Sequence, residues 1–316
     1  MPTITKPLHN FVIKFEQSDC VELVIHEDKI TIKFFESCFK EIEYRKSNGG
    51  CAITYKELTQ KWRRCPETLK EVKKFLPKEN FIRRAVLDFV ELFGGPNAKI
   101  LQWDITPAKE GYIPIQAATM FSCFRKILGS QNHKLHLESL DIKMKVNQEQ
   151  VMSILPFVKE KVLSNIHVRK TKTSHFWNKV TATEQWKNAT YIVFGKSKIP
   201  VDKFFHVRSA EFEMEIMTIE DVDKIIEVGT RPESKDFFFF VKCWNLSNEV
   251  EDHLDNLRDA PPPGGSPEEK YIKVTDMDNV YLSVKRDLQK ITFSRDDDAP
   301  IEDDDDDSDV EDEDNS

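Results

Sequence analysis

The sequence predicts an α/β chain. Its centre is a leucine-rich-repeat-like solenoid of strands and helices. An N-terminal antiparallel meander precedes it, and a small C-terminal β cap and a disordered acidic tail follow. Three observations lead there. Strand-like apolar runs between Leu137 and Val241 centre on Ile142, Ile166, Ile192, Met214 and Phe239, with gaps of 24, 26, 22 and 25 residues. Helix-patterned stretches lie between several of them, and a strand plus a helix every roughly 20–29 residues is the leucine-rich period. Residues 11–55 instead alternate apolar and other side chains, the two-residue period of antiparallel strands. Residues 296–316 carry 14 acids and no Lys or Arg. A single strand–helix unit cannot bury its apolar face alone, so units must stack and leave a long surface open on one side.

Along the chain, residues 1–60 are predicted to be strands. Phe11, Ile13 and Phe15 form the first, Val21, Leu23 and Ile25 the second, and Ile30, Ile32 and Phe34 the third, with a hairpin loop at His26–Lys29. Ser47–Gly50 contains Asn-Gly, which tolerates positive φ, and separates Ile42 and Tyr44 from Ile53 and Tyr55. Residues 61–250 form the predicted strand–helix region. Leu69, Val72, Phe75 and Leu76 are spaced as a helix face stopped by Pro77. Asn80 caps a second helix with Ile82, Ala85, Val86, Phe89 and Phe93 on one face, stopped by Gly94-Gly95-Pro96. Ile100–Ile105, containing Trp103, is a short strand. A helix face of Ala117, Met120, Phe121, Phe124, Ile127 and Leu128 then runs to Gly129.

Asn147-x-x-Gln150 and Thr218-x-x-Asp221 are capping signals. The first opens a helix carrying Val151, Ile154, Leu155 and Val158. The second opens one carrying Ile219, Val222, Ile225 and Ile226, closed by Gly229. Glu184–Ala189 is a short helical turn before the strand Tyr191–Phe194. Phe237–Val241 is a continuous apolar run, as for a strand covered on both faces. Residues 251–268 include Pro- and Gly-rich DAPPPGGSP and form a linker. Residues 269–295 contain two or three strands, too small a sheet to stand alone, expected to dock on the end of the array or on the N-terminal sheet. From Asp296 self-repulsion and lack of apolar residues predict disorder.

Charge is divided unevenly. The whole chain carries −9; without the 14 acids of residues 296–316, 41 acids face 46 bases, or +5. The tail can screen the body of its own chain or meet a basic partner. Six cysteines show no C-x-x-C spacing, and no N-terminal apolar leader is evident. Reduced thiols and an intracellular, cytoplasmic or nuclear location are expected. The longest strongly apolar run, Phe237–Val241, is too short to span a membrane.

The chemistry-bearing motifs of common enzymes are missing: there is no P-loop, no G-x-G-x-x-G after a strand, no H-E-x-x-H and no G-x-S-x-G. The reading is therefore non-enzymatic, with no cofactor and no metal. His133-x-x-His136 with Glu138 has three potential ligands but falls in a predicted loop beyond Gly129. His167 reads as an edge histidine of a strand, and His206, beside Phe204 and Phe205, as packing. Trp62, Arg63-Arg64, Lys73-Lys74 and Arg83-Arg84 suggest a basic patch. The interleaved Glu67, Glu71 and Glu79 favour a solvated helix face, so nucleic acid is not the expected partner. Glu211, Glu213 and Glu215 share one face of a strand; like charges there must be wet or meet basic groups. They form a candidate partner-binding stripe. Ser308, inside an acidic run and followed by Glu311, is a candidate phosphoacceptor for acidophilic kinases such as casein kinase 2.

Several pieces in order carry a family resemblance. They are Glu138–Lys143, Gln150–Pro156, Leu163–Val168, Glu184–Ala189, Phe204–His206, Phe212–Met214 and Thr218–Val222. From about 115 to 245 the chain resembles the nematode F-box-associated FTH domain. In proteins of that kind an upstream F-box docks on the Skp1 adaptor of a cullin-based ubiquitin ligase, and the FTH domain is thought to hold the substrate. The resemblance therefore implies a substrate-holding, protein–protein interaction module. No Leu-Pro opening or F-box order of helices is evident in residues 1–93, so Skp1 binding is not expected of them. The alternative is an acidic-tailed, chaperone-like binder of basic proteins, in which the tail is the active element.

Overall fold

The computed structural model describes residues 18–35, 39–58, 68–109, 115–172, 177–231, 233–234, 236–257, 270–274, 280–287 and 289–295. The expected strand at Phe11–Phe15, Trp62–Arg64, most of the Pro/Gly linker and the acidic segment with Ser308 lie outside these residues.

Period-2 alternation builds the first strands: β1 (Ser18–Ile25), β2 (Lys29–Phe35), β3 (Phe39–Ser47) and β4 (Gly50–Leu58) form an antiparallel meander. Gly49 turns β3 into β4 at φ 76°, the left-handed conformation the Asn-Gly signal anticipates. A fifth antiparallel strand, β5 (Thr68–Pro77), follows. The helix expected around Leu69–Leu76 is therefore a strand. Val72 and Leu76 are four apart, a spacing that suits one face of a helix and also one face of a strand. The open edge of β4 decides between them by offering a full ladder of backbone partners.

α1 (Phe81–Phe93) starts where the Asn80 side chain accepts hydrogen bonds from the Ile82 and Arg83 amides, both at 3.0 Å. Then come β6 (Ile100–Pro107) and α2 (Ile115–Leu128). Phe89 of α1 stacks on Trp103 of β6 at 4.4 Å and meets Phe124 of α2 edge-on at 5.5 Å. The abundant Phe are core residues here.

β7 (Leu137–Val146) leads through the Asn147/Gln150 capping box into α3 (Gln148–Val151), which lasts four residues. Pro156 lacks an N–H and sits in a 3-10 turn, Leu155–Phe157, so the longer expected helix cannot continue. Next are β8 (Asn165–Thr171), α4 (Asn178–Thr181), α5 (Glu184–Asn188) and β9 (Tyr191–Ser197). A 3-10 turn, Val201–Phe204, precedes β10 (Ser209–Ile216), and α6 (Ile219–Gly229) opens on the Thr218/Asp221 capping box. The chain continues with β11 (Phe238–Asn245) and α7 (Asn248–Asn256), which runs six residues past position 250. It ends with β12 (Lys270–Lys273), β13 (Tyr281–Asp287) and β14 (Lys290–Arg295).

The 14 strands among the described residues lie in one sheet, ordered β12-β13-β14-β11-β10-β9-β8-β7-β6-β1-β2-β3-β4-β5. Strands β6 to β11 are mutually parallel and lie side by side in chain order, with β1 parallel to β6. Both ends are antiparallel; β14 pairs with β11 and extends the sheet beyond it. One apolar rung crosses twelve strands in register: Val72, Tyr55, Ile42, Ile32, Leu23, Ile105, Ile142, Val168, Phe194, Phe212, Val241 and Ile291. Apart from Val72, which is partly buried, its members belong to the buried core, and the helices pack on that side.

Of the proposed basic patch, Arg84 is buried. It pairs with the buried Asp88, which also accepts a hydrogen bond from the Tyr44 hydroxyl at 2.8 Å. Burial pushes the Asp88 carboxyl above its ordinary value despite these donors. Removing one partner of a buried pair strands the other charge, so Asp88→Ala should cost about 3–5 kcal/mol in urea unfolding. The exposed neighbour Arg83→Ala should stay within about 0.5 kcal/mol of the parent.

Candidate functional site

Side chains alternate across a strand, so the apolar rung has a partner one residue along it, on the other face. That rung runs Glu71, Lys56, Glu41, Lys33, Glu22, Asp104, Asp141, His167, Val193, Glu211, Phe240 and Thr292. The helices pack on the opposite face, against the apolar rung.

From β5 to β1 the rung alternates in sign. Lys33 pairs with Glu22 at 2.9 Å, and Lys56 with Glu41 at 4.0 Å. At the centre three carboxylates stand on adjacent strands: Glu22, Asp104 and Asp141. Like charges directly opposite one another destabilise a sheet, and each is met by its own donors. The Thr106 hydroxyl donates to Glu22 at 3.0 Å. Gln102 donates to Asp104 at 2.8 Å, and the Lys143 ammonium donates at 2.6 Å. Asp141 is buried and accepts Nε and Nη2 of Arg169 at 3.1 and 3.0 Å, with His167 Nδ1 at 3.7 Å.

Burial alone pushes the Asp141 carboxyl up. The nearby His167 and the hydrogen bonds from Arg169 outweigh it and hold the group below the usual carboxylate range. Burial likewise opposes the charge on Lys143, but its contact with Asp104 wins and raises its pKa.

On the far side, the Tyr191 hydroxyl donates to Glu211, and burial followed by that carboxylate pushes the phenol up to about 12. Trp244 Nε1 donates to Glu213 at 3.2 Å, and Lys242 lies 3.8 Å from the same carboxylate. Two members of the acidic stripe, Glu211 and Glu213, are thus engaged inside the sheet; Glu215 is exposed. Between these strands lies a shallow depression of about 200 Å³ lined by Arg169, Val193, Gly195, Glu211, Phe240 and Lys242. Gly195 is required for it: a Cβ there would come within 2.5 Å of the Arg169 carbonyl oxygen. Phe240 borders this depression and is only half-buried, as is Phe238. β11 is therefore covered by helices on one face only, not on both.

Sequence reasoning missed the network of Asp141, Arg169, Lys143 and Asp104. Its one available signal was the alternation of charged and apolar residues in Leu140–Lys145. His167 is half-buried against the Tyr191 ring at 5.0 Å, and the exposed His206, expected to be packed, instead donates a hydrogen bond from Nε2 to the Trp186 carbonyl at 2.7 Å. His133 and His136 lie in the loop between α2 and β7. Among the described residues no group of three or more His, Cys, Asp or Glu is placed to hold a metal ion. No described helix is long and apolar enough to cross a membrane.

Residues 118–253, from within α2 to within α7, match the family model of the FTH domain, so this stretch of the chain is an FTH domain. The family is generally one of protein-interaction domains. No curated protein and no solved structure gives a match.

The folded chain binds fewer protons at Asp141 than the unfolded chain does between the two pKa values. That stabilisation is complete above a pH of about 4 and is lost as pH falls through the lowered folded value. Thermal unfolding midpoints should drop in that acid window, and Asp141→Asn should flatten the drop. Gly195→Val should separate β8 from β9 and cost about 1–3 kcal/mol by urea unfolding.

Proposed function

We propose that this chain is a non-enzymatic protein–protein interaction module that holds its partner against the uncovered face of the sheet. It would resemble the substrate-binding half of F-box-associated FTH adaptors of cullin-type ubiquitin ligases. The observation that carries this reading is the combination of an FTH domain with a sheet whose described helices pack on one side. Its six parallel strands in chain order fit the leucine-rich-repeat-like description. In such an array every unit contributes one strand to a common face.

The open face has features a protein partner uses. Trp244 is 40% exposed at the end of β11, and Phe240 and Arg169 flank the depression. Aromatic and Arg anchors dominate protein interfaces. The ion pairs around them are mostly half-exposed and should set orientation and association rate more than affinity. The cross-strand network holds these groups in one geometry before the partner arrives, which lowers the ordering cost of binding.

Trp244→Ala and Arg169→Glu should each weaken capture of the cellular partner at least tenfold, read by quantitative affinity purification. Lys187→Glu, on the helical side, should leave it unchanged. Equal recovery with all three variants would eliminate the open face as the binding surface.

A further inference from the structure

The far end of the open face gathers lysines from three strands. Lys242 and Lys290 stand directly opposite each other on β11 and β14. Like charges facing across a sheet repel. Lys242 has one carboxylate, Glu213, at 3.8 Å. Among the described residues Lys290 has no ion pair; its ammonium lies 5.9 Å from the centre of the Phe240 ring. Lys196 of β9 and Lys242 both approach the Trp244 ring, at 5.2 and 4.2 Å. Three ammonium groups and two partly uncovered rings therefore share one end of the face with the engaged Glu213, with Glu215 two residues further along β10, and with Asp287, opposite Lys290 on β13.

The same chain supplies a segment of opposite charge. β14 ends at Arg295, whose amide bonds the Phe237 carbonyl at 2.8 Å, at the start of β11. The next 21 residues hold 14 acids and no base. Lys290 lies five residues back along β14, about 17 Å at strand spacing. An extended chain covers at most about 3.3–3.6 Å per residue, so eight residues reach about 27 Å. The eighth residue after Arg295 is Asp303, the first of the run Asp303–Asp307. Residues 296–302 are thus long enough to reverse direction and bring five consecutive carboxylates alongside the lysines.

We propose that the acidic segment 296–316 folds back on its own chain and docks through Asp303–Asp307 on the Lys196, Lys242, Lys290 and Trp244 end of the open face. The contact covers part of the surface that a protein partner would need. A partner then competes with a tethered occupant, whose effective concentration is of millimolar order for a short flexible link. Ser308 follows the run directly, and a phosphate there adds about two negative charges and tightens the contact.

Zero-length carbodiimide cross-linking of the full chain, at dilution that keeps it monomeric, tests this by mass spectrometry without any external partner. Its outcome is therefore independent of whether the partner-holding reading stands. Asp303–Asp307 should join Lys196, Lys242 or Lys290 at least fivefold more often than Lys73 or Lys74 of β5. The preference should vanish in 1 M salt, where the screening length falls to about 3 Å. Lys242→Glu combined with Lys290→Glu should abolish it, with circular dichroism confirming the fold. As an independent arm, replacing Asp303–Asp307 by Asn in the full chain should increase acrylamide quenching of tryptophan fluorescence as Trp244 is uncovered. Cross-links spread evenly over the surface, cross-links only between chains, or unchanged quenching in the Asn variant would each overturn the proposal.

Discussion

Register is the constraint on which the rest of this structure depends. One line of residues across twelve strands is apolar from Val72 to Ile291, and the line one residue along is mainly charged and polar. A slip of one residue in any strand would carry its core side chains to the open face and its charges inward. The apolar line is covered by α1, α2 and the later helices through contacts such as Phe89 on Trp103 and Phe204 on Phe212. Core packing therefore fixes the position of every open-face side chain, although those side chains contribute little burial themselves.

The open face owes its character to how its charges are settled. Exposed ion pairs contribute little stability, and most pairs here are partly exposed. Asp141 differs because it is buried; Arg169 and His167 must stay beside it for the carboxylate to remain charged. This ties β7 to β8 on the open side as Leu140 and Ile166 tie them on the core side. Toward β11 and β14, Lys242 faces Lys290, and the half-buried Phe240 and the 40% exposed Trp244 lie beside them.

Local signals were read well where the physics is local. Asn80, Asn147 and Thr218 cap helices through hydrogen bonds spanning two or three residues, and the amide–carboxyl or hydroxyl chemistry is visible in the sequence. The evenly spaced strands centred on Ile142, Ile166, Ile192, Met214 and Phe239 also lie side by side in chain order. Errors arose where one pattern serves two structures. Leu69–Leu76 reads as a helix by spacing and is strand β5. The helix after Asn147 lasts one turn, and Pro156, in a 3-10 turn, bars it from running on to Val158. Phe237–Val241 reads as doubly covered, yet Phe238 and Phe240 look onto the open face.

The sequence by itself determined the period of strands and helices, the caps, the turn at Gly49 and the separation of an acidic segment from a mildly basic body. These depend on neighbours within a few residues or on composition. Only the tertiary structure decided that β1 lies parallel against β6, that the meander and the C-terminal strands extend one sheet, and that Asp104, Asp141 and Glu22 stand together. Glu22 and Asp104, paired across β1 and β6, are 82 positions apart. Such juxtapositions are set by which strand edge is left open when the core closes, a choice that no local spacing encodes.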